Sequence, residues 1–311
     1  MRILRYPWGK NLGDTLQSMV FEHFIRQNYS DLDIDYIGRD FPISINSARS
    51  ESEFMREDKD IILTGWLTQN PTRFLSFQRN LLGLIGIHLA TEGSLAFKDF
   101  GINYMFLSET FRNEFAGHMV SCRDLTTKDF LASKGVNAPF VGCVSSLISH
   151  LDLSFIPEQP STDFLFADID SKIRDKILAN GLPGKKFTSL TNDVSEFLGE
   201  REKERRVEKL IGEIISAEVV VTSRLHVALP SVALGKPTLL ISNKDPRLAG
   251  ISNFLNIVST EEALIELSKE EILDFAFKAP NVEIGEMSGM VTTQIRQILQ
   301  IPTLELSLIH I

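Results

Sequence analysis

The chain has 311 residues, 43% of them hydrophobic and 23% charged, with a formal net charge of −9. This suits a globular protein with material for two cores, and the length accommodates two domains of ordinary size. The acidic balance excludes a general nucleic-acid partner, whose phosphate backbone demands basic surface, but it permits a locally basic pocket.

Strand and helix signals alternate from the start. Arg2–Tyr6 reads as a strand with no signal peptide before it. Asp14–Gln27 is expected to be a helix with Leu16, Met19, Val20 and Phe24 on one face. Strands are expected at Asp33–Ile37, Asp60–Thr64, Leu82–Leu89 and His118–Cys122, then a helix over Thr126–Lys134 stopped by Gly135. Pro139–Val144 closes this half. The longest apolar run, Leu81–Ala90, is interrupted by glycines and His88, so no transmembrane segment is expected.

Ile156–Asp163 is rich in Pro and Ser and reads as a linker. The alternation then restarts with strand Phe164–Asp168, helix Ser171–Leu178 and strand Lys186–Leu190. The charged run Glu200–Glu208 opens a helix to Ser216 and reads as its solvated face. Strand 218–222, helix 224–235, strand Pro237–Ile241, helix Arg247–Leu255 and a strand–helix pair near Ile257–Leu267 follow. The expected fold is α/β: two Rossmann-like βα domains, residues 1–155 and 160–305, facing a central cleft. The last six residues, Leu306–Ile311, match a translated sequencing adapter and are expected to be a non-native tail. Cys122 and Cys143 lie in apolar strand-like segments without metal-ligand spacing and read as reduced core residues of a cytoplasmic protein.

The most informative stretch follows Val219-Val220-Val221. Three β-branched residues suggest a strand buried on both faces. Thr222 and Ser223 are good N-cap types, and an apolar helix then runs to Gly235. Arg224 and His226 thus fall at the carboxyl end of a parallel strand and in the first helical turn, where open α/β sheets bind ligands. A helix N-terminus and an arginine favour an anion, and a histidine can move a proton near neutral pH. The pattern fits a phosphate or carboxylate substrate that needs proton transfer. The plainer reading of His226 is a helix residue satisfied by a backbone carbonyl.

Other strand-end segments are candidates with plainer alternatives. Gly9-Lys10-Asn11-Leu12-Gly13-Asp14 could bring a ligand close to backbone, or Asp14 could simply cap the helix. Arg123, in Ser121-Cys122-Arg123-Asp124, could reach the cleft or form a surface pair with Asp124. Lys244 and Arg247 could add positive potential, or lie in an exposed turn with Pro246 at a first helical position. Trp66 could stack on a sugar ring or be a core residue. His23, His88, His118 and His150 show no metal-ligand spacing, so no metal site is expected.

Together these segments resemble the polysaccharide pyruvyl transferase family over about residues 1–260. The resemblance is carried by the Gly9–Asp14 turn, by Ser121–Asp124, and by Ser223-Arg224-Leu225-His226 with Gly235-Lys236-Pro237 after it. Many members carry Asp-Pro where this chain has Cys143-Val144, a subfamily difference. The resemblance implies a GT-B-like fold and transfer of pyruvate from phosphoenolpyruvate to a sugar of a cell-surface polysaccharide, forming a cyclic ketal. It implies a sugar or lipid-linked oligosaccharide acceptor and a cytoplasmic location, including the inner face of the membrane. No cofactor beyond the donor substrate is implied. In this scheme His226, Arg224 and Asp14 are catalytic, and Asn11, Gly13, Arg123, Ser223, Trp66, Lys244 and Arg247 bind substrate. The same cleft would also serve a glycosyltransferase using a nucleotide sugar, or a non-catalytic glycan-binding protein.

Overall fold

The computed structural model of the chain describes residues 1–5, 10–38, 60–66, 81–89, 106–179, 186–195, 197–242, 245–258 and 284–300. Gly9, Lys244, the tail Leu306–Ile311 and the helix expected after residue 258 lie outside the described residues.

Two parallel sheets organise the chain. The first contains β1 (Arg2–Arg5), β2 (Asp35–Gly38), β3 (Ile61–Trp66), β4 (Leu81–His88) and β5 (Met119–Cys122), in the order β2-β1-β3-β4-β5. Its register pairs Ile3 with Tyr36, Ile62 with Gly83, and Leu84 with Val120. Helices α1 (Leu12–Asn28), α2 (Glu109–Ala116) and α3 (Leu125–Ser133) accompany it. Asn11, not Asp14, caps α1: its side-chain oxygen accepts from Gly13 N at 2.8 Å. Asp124 caps α3 in the same way, accepting from Thr127 N at 2.8 Å. The Pro139–Val144 segment makes one bridge, Phe140 to Cys122, before a 3-10 turn over Val144–His150.

The second sheet contains β6 (Thr162–Ala167), β7 (Phe187–Leu190), β8 (Ala217–Thr222), β9 (Thr238–Ile241) and β10 (Asn256–Val258), in the order β10-β9-β8-β6-β7. Helices α4 (Ser171–Ala179), α5 (Glu200–Ser216) and α6 (Leu225–Ala233) connect its strands. Val219, Val220 and Val221 of β8 are buried, as the apolar run implies. Removing each such side chain from water is worth roughly 1.5–3 kcal/mol. On α5, Val207, Leu210, Ile211 and Ile214 form the buried stripe, while Arg206 meets Glu202 at 3.4 Å on the outer face. The charge run is a solvated face except at Lys203, which is buried.

One expectation fails locally. Arg247–Leu255 is not one helix but two 3-10 turns, Pro246–Leu248 and Ile251–Phe254. Gly250 between them has φ +86°, a left-handed conformation that breaks helical geometry.

The halves share one continuous core. Ile3, Leu16 and Val20 belong to the same apolar cluster as Leu165, Val220 and Val227. Backbone also crosses: Leu12 N donates to Asn192 O at 2.8 Å and Val194 N to Lys10 O at 2.7 Å, around an Asn11–Asp193 bridge. Helix α7 (Ile284–Gln300) buries Met287, Val291, Ile295 and Ile298, and Ile298 lies over Gly83 of β4 in the first sheet. The expected C-terminal unit, 160–305, therefore sends its closing helix back to the first half. Among the described residues no helix is long and apolar enough to cross a membrane.

Candidate active site

Strand ends from both sheets converge on one cavity of about 130 Å³. Arg123 follows β5, and its backbone N donates to Ile87 O at 2.8 Å, fixing the turn out of the sheet. The side chain is only 2% exposed. Its Nη1 lies 3.3 Å from His226 Nε2, and its Nε has no hydrogen-bond partner among the described residues. An orphaned, buried guanidinium N–H is costly, and an acceptor arriving in the cavity would relieve that cost.

His226 is the second residue of α6. The chain enters this helix through Thr222, whose Oγ1 donates to Ala167 O and accepts from Arg224 N, both at 3.0 Å. The N-cap position is Arg224 itself, with no side-chain cap, rather than Thr222 or Ser223 as expected. Uncapped first-turn N–H groups at the cavity wall favour an anion. At the other end, Gly235 N donates to Val232 O and Lys236 N to Ser231 O, both 2.9 Å, closing the helix in a Schellman pattern. Burial foremost, then the charges of Arg123 and Arg247 and the neighbouring His88, hold His226 well below its ordinary value. It is neutral at pH 7. Gly13 makes this packing possible: a Cβ there would fall 2.6 Å from His226 Cβ and 2.7 Å from Nδ1.

Arg224 is not the free cation that its position suggests. Its Nε donates to Asp168 Oδ2 at 2.9 Å and its Nη2 to Asp193 Oδ2 at 2.6 Å. Asp168 is itself held by Thr191 Oγ1 at 2.7 Å and Asn192 N at 3.0 Å, and its φ of +55° is strained for a non-glycine residue. Ser223 lines the cavity, while its Oγ donates to Asp168 O at 2.7 Å. Arg247 lines the cavity and chelates Asp245, with Nε 2.8 and 2.9 Å from the two carboxylate oxygens. Asn11 also lines the cavity, while its side chain caps α1.

Other expected site residues fall elsewhere. Asp14 is buried in the first turn of α1 and does not line the cavity, although its charge helps raise the Arg247 pKa. Trp66 sits edge-on to His88, ring centroids 6.3 Å apart, away from the cavity wall. The Arg123–Asp124 surface pair does not form: Asp124 is fully buried and binds His88 Nδ1 at 2.7 Å. Gln17, Asp168 and Asp193 were not anticipated. Asp168 stands at a strand end like the other candidates, and Gln17 is a polar residue within the apolar stripe of α1, signals that could have marked both.

Two parallel five-stranded sheets with a strand-end cavity between them define a GT-B-like α/β protein. The polysaccharide pyruvyl transferase family profile matches residues 11–246, so the chain belongs to that family. A comparison with curated protein sequences returns no match. Among solved structures, S. aureus MnaA with UDP is similar at 8% identity over 97% of this chain and 98% of that one, with a TM-score of 0.51. A UDP-N-acetylglucosamine 2-epimerase is similar at 12% identity over 98% and 96%, with a TM-score of 0.50. These likenesses concern the fold.

Proposed function

We propose that the protein transfers a pyruvyl group from phosphoenolpyruvate to two hydroxyls of a polysaccharide sugar or its lipid-linked precursor. The observation that carries this reading is the buried Arg123 guanidinium, its Nε unpartnered among the described residues and its Nη1 3.3 Å from His226 Nε2. The donor's carboxylate and phosphate suit Arg123, the α6 N-terminus and the rim arginines Arg224 and Arg247.

In this scheme the arriving donor anion draws Arg123 Nη1 away from His226 Nε2 and offsets the cations that lower the ring's pKa. Nε2 takes up a proton and passes it to the donor methylene, which becomes a methyl group as a sugar oxygen bonds to C2. The C2–O bond to phosphate then breaks, and the second hydroxyl bonds to C2. Of the two hydroxyl protons, one replaces the proton spent on the methyl group and the other leaves with inorganic phosphate. Asp14 is the candidate acceptor-side base. It sits in the first turn of α1 outside the cavity lining, so this role requires the turn to move or a water to relay the proton. The work belongs on the cytoplasmic side of the membrane, where phosphoenolpyruvate is made.

Thermal-shift measurements test the donor. Phosphoenolpyruvate is expected to stabilise the protein and UDP or GDP to leave it unchanged. Stabilisation by a nucleoside diphosphate alone would replace this reading with the glycosyltransferase one.

A further inference from the structure

Behind His226, on the side away from the cavity, a buried polar chain runs into the protein. Gln17 of α1 is fully buried, with its amide nitrogen 3.4 Å from His226 Nδ1. Its amide oxygen accepts from Cys143 Sγ at 3.4 Å, and Ser145 Oγ donates to Cys143 Sγ at 3.2 Å. On the other side of the ring, Arg123 Nη1 faces Nε2 at 3.3 Å. With the amide in this orientation, both ring nitrogens face donors. A neutral imidazole has one donor and one acceptor, and an imidazolium has two donors, so no accessible form of His226 satisfies both contacts.

Arg123 is always a donor, which makes Nε2 the acceptor and places the ring proton on Nδ1. That proton then needs an acceptor. Among the described residues the amide end of Gln17 is the side-chain group that contacts Nδ1, and its two ends exchange by rotation about the terminal bond. The exchange gives up a 3.5 Å contact from the amide nitrogen to Gly13 O, at the limit of a hydrogen bond, and the weak Cys143 S–H bond to the amide oxygen at 3.4 Å. It turns the amide N–H toward Cys143 Sγ, a weak acceptor.

We infer that Gln17 presents its carbonyl oxygen to His226 Nδ1 and is the positioning residue that keeps a proton there, leaving Nε2 as the atom that gains and loses the transferred proton. The inference rests on the pyruvyl-transfer reading only for the use made of that proton. The arrangement serves both charge states, because Nδ1–H is kept whether or not Nε2 is protonated, and no group behind the ring need move during turnover. The charged or titratable neighbours of the ring are Arg123, Arg247 and His88, with the Cys143 thiol beyond Gln17.

The test is ring-nitrogen NMR on the uniformly labelled protein without ligand, with His226 assigned by difference against His226→Gln. The wild type is expected to show a protonated Nδ1 and an unprotonated Nε2. Gln17→Leu is expected to move the proton to Nε2 or to give a mixture, and to lower kcat for phosphate release about 10–100-fold with KM for phosphoenolpyruvate unchanged. Gln17→Glu keeps an acceptor, retains Nδ1–H and moves the alkaline limb of the kcat profile upward by about one pH unit. A wild-type ring protonated on Nε2, or a Gln17→Leu protein that keeps Nδ1–H, overturns the inference. If Gln17→Leu does not fold, the wild-type tautomer and the Gln17→Glu profile decide. If the wild type releases no phosphate from phosphoenolpyruvate, the functional reading fails while the tautomer still decides the role of Gln17.

Discussion

Arg224 Nε lies 2.9 Å from Asp168 Oδ2, so the arginine that the sequence marks as anion-binding is held by carboxylates. Asp193 takes its other edge. The pair fixes the direction of the guanidinium, and under the proposed function a donor at Arg224 would compete with Asp193, the more exposed of the two carboxylates. Arg224→Ala is expected to weaken phosphoenolpyruvate binding by about 1.5–3 kcal/mol, the scale of a hydrogen bond to a charged group. Part of that loss is repulsion from the carboxylates left behind. Arg224→Ala combined with Asp193→Ala should therefore bind more tightly than Arg224→Ala alone. Calorimetric titration of the wild type and the two variants checks both statements.

Gly13→Ala places a methyl group 2.6–2.7 Å from the His226 side chain, and either α1 or the ring must shift. Overpacking of this kind costs roughly 1–3 kcal/mol. The expected outcome is a lower melting temperature together with a larger loss of turnover than of donor affinity. A variant with wild-type kcat would remove the close approach of α1 from the account.

Arg123 depresses the His226 pKa, second only to burial. Arg123→Met keeps the volume and removes the charge. The His226 pKa is expected to rise toward its ordinary value in an NMR titration, and stabilisation by phosphoenolpyruvate to disappear. Loss of donor stabilisation with an unmoved His226 titration would separate Arg123 from the proton chemistry.

Acid stability follows from the same burial. His226, His88 and His118 all titrate below 6.5 in the folded protein, each because of burial first. Below pH 6.5 the unfolded chain binds protons that the folded chain does not, so stability falls as pH drops toward the lowered folded values. Each histidine contributes a slope of at most about 1.4 kcal/mol per pH unit. Urea unfolding between pH 7.5 and 5.5 should show this decline, and His226→Gln should flatten it. An unchanged slope in that variant would mean that His226 titrates normally.

Much of this site was legible in the sequence, because β-strand ends are. Val219–Val221 announces a buried strand, and whatever follows a buried parallel strand faces the cleft, which places Arg224 and His226. The family follows from the same motifs. What was not legible is pairing at a distance. Asp168 and Asp193 are 56 and 31 residues from Arg224, and no local pattern brings them together. Asp124 looked like a surface partner for Arg123 because the two are adjacent, yet it turns inward to cap α3 and bind His88. Asp14 looked like a cap, but Asn11 performs that role from the position before the helix. The helix expected over Arg247–Leu255 carries the right apolar residues, and a single left-handed glycine at 250 divides it.

The most direct test of the central claim is phosphate release from phosphoenolpyruvate in the presence of a panel of sugar acceptors, comparing wild type with His226→Gln. Donor affinity is measured separately by calorimetry. The account predicts acceptor-dependent release by the wild type. It predicts a fall in turnover of roughly 10²–10⁴-fold in His226→Gln, with donor affinity nearly intact. Turnover within a few-fold of wild type in that variant, or wild-type release that no acceptor changes, would contradict it.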